Sequence, residues 1–158
     1  MVLVVYSSVI LLFLLYFCTT NHPLHLFEIL FVWFMIIFLH ENFLALFSLN
    51  LKWIEPSDEP QMITSIVISR IFFTPAIIIW SIGCFYRIRV KSVKGGFLLL
   101  ILGLLVGLDY AGDYYGLYTF KGMKVWVVIV EWSTLLLLAF IIQVGYRKLI
   151  GKGGHFNA

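Results

Sequence analysis

Polar positions along the chain are sparse and gather at intervals, so that five long apolar stretches stand out between short polar connections. They cover 2–18, 26–49, 62–86, 97–118 and 125–146. Each is close to, or longer than, the roughly 20 apolar residues a helix needs to cross about 30 Å of hydrocarbon. The expected fold class is therefore all-α: a polytopic membrane protein of five transmembrane helices. They form a single transmembrane domain over 1–158, with no extramembrane domain, linker or internal repeat. The first stretch has no Lys or Arg before it and no small-x-small cleavage site after it, so a retained span is expected there, not a signal peptide.

Composition sharpens the class. Hydrophobic residues make up 62% of the chain and charged residues 12%, against about 25% charged in a soluble domain. A mean hydropathy of +1.03 in 18.3 kDa cannot be hidden inside a small globule, which has too much surface for its volume. A soluble enzyme, a nucleic-acid-binding module and a disordered regulator are excluded. The net charge of +3 is too small to imply a polyanionic partner; the lipid bilayer is the expected one, with a homo-oligomer or membrane complex as the expected association.

The basic residues give a direction. Lys52, Lys121 and Lys124 fall on the side of the N-terminus, whereas Arg87, Arg89, Lys91, Lys94, Arg147, Lys148 and Lys152 fall on the other. Cytoplasmic loops carry the excess of Lys and Arg, so the N-terminus is expected outside and the C-terminus in the cytoplasm of a cell-membrane protein. Cys18 and Cys84 then lie near the reducing face, as free thiols.

Ionisable groups within the spans cost roughly 2.5–3.5 kcal/mol each near the bilayer centre, and six stand out: His40, Glu41, Arg70, Asp109, Asp113 and Glu131. Glu28 lies two residues into its span and is set aside as interfacial. A rise of 1.5 Å per residue puts Asp113 about 12 Å from Lys121, Glu131 about 10 Å from Lys124, and Glu41 about 14 Å from Asn50. All six fall between the outer interface and the midplane. Arg70 is expected to be balanced mainly by Glu131 or Asp113, a buried ion pair being its simplest role. Four acids against Arg70 and a conditional His40 leave an excess of negative charge, to be met by a proton, a cation or water. Such acids serve proton- or cation-coupled carriers; inert proteins keep them too.

Asp109 and Asp113 are i,i+4 neighbours on one face of the fourth span. Gly103, Gly107 and Ala111 form a small-xxx-small row on a different face, an expected helix-packing seam. Pro75 cannot donate to the carbonyl of Ile71, so a kink is expected in the third span.

Catalytic motifs are thin. Asp109 and Asp113 make a D-x-x-x-D pair that could hold Mg²⁺ against a diphosphate, but the second acidic motif of such enzymes is missing. His40-Glu41 begins like H-E-x-x-H and lacks the second histidine. No cofactor is expected.

Pro75 in the third span, an acid-bearing fourth span running into Tyr118, a short basic turn and Trp126 opening the fifth span resemble one family. It comprises small five-pass membrane proteins of Bacillus- and Clostridium-type Firmicutes, and the likeness covers about 62–148. The family has no assigned biochemical activity, so the resemblance implies topology only. Three functions remain open. They are a non-enzymatic membrane component or complex subunit, a small proton- or cation-coupled carrier, and a metal-dependent lipid-processing enzyme.

Overall fold

The computed structural model describes residues 2–20 and 24–153. The side chains of Val2, Leu3, Val5, Tyr6 and residues 150–153 lie outside that description, and with them the basic Lys152; so does part of the 19–25 connection. The described residues are all-helical apart from one two-stranded sheet and the short connections. Helix α1 spans Val2–Thr19. Helix α2, Leu26–Ala45, passes into a π turn at Leu46–Asn50. Helix α3, Pro60–Ile68, continues through a second π turn, Ser69–Phe73, into α4, Thr74–Arg87. Helices α5, Lys91–Tyr114, and α6, Val125–Gly153, follow. Strands β1, Ile54–Pro56, and β2, Tyr118–Phe120, lie in the two connections at the same end of the bundle. Four rods, Leu26–Asn50, Pro60–Arg87, Lys91–Tyr114 and Val125–Leu149, are long and apolar enough to cross a membrane.

Helix α4 sits at the centre and packs on α1, α2, α5 and α6. Its run Ala76–Ile79 is buried on every side. Helices α2 and α6 make the most extensive pair, and their buried stripes explain why. In α2 the stripe is Glu28, Val32, Ile36, His40 and Leu44, one residue per turn. In α6 it is Val128, Trp132, Leu135, Ala139 and Gln143, flanked by Glu131. Two helices with such stripes bury them against each other, because side chains four apart share a face. Here each stripe carries polar residues near both ends.

The irregularity expected at Pro75 takes the form of the π turn over Ser69–Phe73. Trp33 on α2 donates its indole N–H to the Ile71 carbonyl at 3.0 Å, the group that Pro75 cannot reach back to. The fourth span departs from its expected bounds at both ends. α5 starts at Lys91, since Lys and Ser propagate a helix beyond its apolar part. It stops at Tyr114 because Gly116, with φ +73°, turns the chain. The Gly116 N–H bonds to the Asp113 carbonyl at 3.0 Å and the Leu117 N–H to the Gly112 carbonyl at 2.9 Å, which is the Schellman arrangement.

Released from α5, Tyr118–Phe120 pairs antiparallel with β1, in the register Ile54↔Phe120, Glu55↔Thr119 and Pro56↔Tyr118. An exposed Lys121–Glu55 ion pair of 2.6 Å flanks the pairing. The sheet was not foreseen from hydropathy. It ties two connections into a cap over one end of the helices. Cys18 and Cys84 are both free.

Candidate functional site

Beneath the β1–β2 cap lies a cavity of about 50 Å³, lined among others by His40, Arg70, Asp109, Tyr118, Glu131 and Trp132. Four helical rods and strand β2, which carries Tyr118, supply these groups. α2 supplies His40, the π turn before α4 supplies Arg70, α5 supplies Asp109 and α6 supplies Glu131 and Trp132. A water needs roughly 10–15 Å³ of such space, so the cavity suits a few waters or a small ion.

Asp109 is held by two neutral donors. The Tyr118 hydroxyl donates to its carboxylate at 3.1 Å and contacts its backbone carbonyl at 3.0 Å, and the Trp132 indole N–H donates to the other carboxylate oxygen. Tyr118 lies flat against α5 because residue 112 is glycine: a Cβ there would sit 2.6 Å from the Tyr118 hydroxyl and 2.8 Å from the ring. The His40 imidazole stacks on Trp132 with ring centres 5.1 Å apart. Its Nδ1 lies 3.7 Å from the Glu131 carboxylate, beyond hydrogen-bond length. That nitrogen is buried and has no hydrogen-bond partner among the described residues.

Arg70 lies within electrostatic reach of Glu41, Tyr118, Asp109 and Glu131, yet forms no ion pair with a carboxylate among the described residues. Neither expected pairing, with Glu131 or with Asp113, is found as a direct ion pair among the described residues. Asp113 instead accepts a bond from the Phe120 backbone N–H at 3.0 Å and so anchors the cap. The two aspartates of the D-x-x-x-D pair are therefore directed into separate hydrogen bonds. Glu41, one residue after His40, is exposed and does not line the cavity, although it stays within reach of Arg70. Gly103 and Gly107 are exposed as well, and a Cβ on either would meet nothing within 4 Å. Among the described residues the expected seam thus has no partner at these two positions, and the close approach made by α5 is at Gly112.

A second polar group lies at the opposite end of the α2–α6 contact. Glu28 is 4% exposed, receives bonds from the Gln143 amide and from Arg147 Nε, the latter at 2.7 Å, and closes a capping box with His25. The Tyr86 hydroxyl donates to the Gln143 carbonyl oxygen at 2.5 Å, and the Arg147 guanidinium covers the Tyr86 ring at 4.7 Å. Twelve residues separate Glu28 from His40, and twelve separate Glu131 from Gln143. One antiparallel register therefore brings both pairs together.

Glu28 was set aside because depth alone puts it at the interface. Its burial comes from α6 running past its apolar stretch. The spacing Gln143–Arg147, one helical turn at the end of a span, was the available signal.

Comparison of the chain with protein-family models, curated proteins and solved structures gives no match.

Proposed function

We propose that this protein is a non-enzymatic multi-pass component of the cell membrane, with α1 as a fifth span, its N-terminus outside and its C-terminus in the cytoplasm. Its working part is the capped polar cluster of His40, Arg70, Asp109 and Glu131. α1 supports the span count, being an 18-residue apolar helix packed along α3 and α4. The excess of basic residues at the uncapped end supports the direction. The observation that carries the reading is the small cavity of about 50 Å³, room for a few waters or an ion. In this reading the cluster is a hydrated polar latch. It holds α2, α5 and α6 to the β1–β2 cap, and through them offers a partner subunit a shaped outer surface.

A proton-coupled carrier is the second reading, favoured by the unsatisfied His40 Nδ1 facing Glu131. Proteoliposomes holding a pH-sensitive dye separate the two. A component without transport gives the same proton leak for wild type and Glu131→Gln. A wild-type flux well above the Glu131→Gln flux overturns the first reading in favour of the carrier.

A further inference from the structure

Away from the capped cluster, a groove of about 540 Å³ opens between α5 and α6. Its walls include Phe85, Gly95, Leu98, Leu102, Leu136 and Phe140, and Ser133 is the one polar side chain lining it. Phe85 and Phe140 meet edge to face at 4.9 Å and close one wall. Gly95 leaves the wall open, since a Cβ there would meet nothing within 4 Å.

The groove is apolar along its length and cationic at one end. Lys91, Gly95, Leu98 and Leu102 are spaced so that they share one face of α5. Lys91 therefore stands one turn beyond the glycine that lines the groove. The Lys94 ammonium lies 4.4 Å from the centre of the Phe85 ring, directly at the wall, and Arg89 and Lys91 are exposed beside it. A helix about 10 Å across would fill such a volume with little more than one turn. A lipid chain, one methylene wide, can thread it.

We propose that this groove binds one anionic phospholipid of the leaflet that meets the α4–α5 connection. An acyl chain lies between α5 and α6, and the phosphate is held by Lys91 and Lys94. Charge complementarity selects the lipid: basic side chains near a membrane surface attract anionic headgroups, and the apolar walls exclude a free anion from everything but the rim. The inference rests on embedding in a bilayer and not on the role of the polar cluster, so the proton-flux result leaves it untouched.

The test uses the purified full-length protein equilibrated with mixed micelles of phosphatidylglycerol and phosphatidylcholine in equal amounts, followed by native mass spectrometry. Wild type is expected to retain one phosphatidylglycerol in preference to phosphatidylcholine. The double variant Lys91→Gln/Lys94→Gln is expected to lose about thirty-fold in that preference with its helix content unchanged. Gly95→Leu, which fills the groove, is expected to reduce retention of both lipids, and excess inorganic phosphate to displace neither. Equal retention of the two lipids by wild type overturns the proposal. So does a double lysine variant that still prefers phosphatidylglycerol, or displacement of the lipid by inorganic phosphate.

Discussion

The indole N–H of Trp33 donates to the carbonyl of Ile71 at 3.0 Å, the carbonyl four residues before Pro75. A neighbouring helix thereby supplies the donor that proline lacks, at the point where the Pro60–Arg87 rod widens into its π turn. Losing a donor to a half-buried carbonyl costs about 1–3 kcal/mol, so Trp33→Phe is expected to destabilise the protein by that amount. In a Pro75→Ala background the restored amide can serve the carbonyl, and Trp33→Phe is expected to cost less. Equilibrium unfolding in mixed micelles reads the coupling. Equal costs in both backgrounds would show that the indole is not compensating for the proline.

At the start of α2, Gln143 both donates to Glu28 and accepts from Tyr86. Gln143→Leu is expected to cost about 1–3 kcal/mol, because it takes a donor from the buried Glu28 carboxylate and the acceptor from the Tyr86 hydroxyl. Tyr86→Phe costs about 1 kcal/mol in the wild type but close to nothing once Gln143 is leucine. The double-mutant cycle isolates this bond from the Arg147 contact, which is 40% exposed and accordingly weak in water.

Glycines on α5 divide by what faces them. Gly112→Ala places a methyl group 2.6 Å from the Tyr118 hydroxyl and against its ring. The ring is rigid, so it must leave Asp109, at a cost of about 1–3 kcal/mol. Gly107→Ala meets nothing and is expected to stay within about 0.5 kcal/mol of wild type. Reversal of that order in thermal unfolding would restore the small-residue row as the packing face.

Arg70→Met removes the cation shared by Glu41, Asp109 and Glu131. Reduced yield of folded protein is the expected result, since the remaining acids lose their counter-charge. Adding Glu131→Gln is expected to recover part of that yield, and adding Asp113→Asn none, because Asp113 serves the Phe120 N–H. Recovery by Asp113→Asn would place Arg70 elsewhere than the structure does.

Apolar length alone made the helical rods legible, because crossing hydrocarbon demands it whatever the packing. Depth counting likewise brought His40, Arg70, Asp109 and Glu131 to one level, and they line one cavity. What counting could not give was direction around the helix. Glu41 shares the level of His40 but is exposed and stands outside the cavity lining, within reach of Arg70. Gly112, lying between the two aspartates, carries the close contact that the spacing of Gly103 and Gly107 suggested for them. The β1–β2 cap was hidden because Tyr118 reads as the end of an apolar span and Thr119–Phe120 as part of a short turn, until Gly116 ends the helix early. Glu28 and Gln143 were hidden because their meeting depends on the α2–α6 register, a property of the pair of helices.

Cysteine accessibility in intact cells tests most directly whether a membrane-spanning bundle carries its capped cluster toward the outside. With Cys18 and Cys84 replaced, single cysteines are placed at Asp58 and Thr119 beside the cap and at Ser92 in the first turn of α5, all exposed positions. An impermeant maleimide is expected to label Asp58→Cys and Thr119→Cys in intact cells, and Ser92→Cys only after lysis. Labelling of Ser92→Cys from outside, with the other two protected, would invert the protein in its membrane and contradict the account.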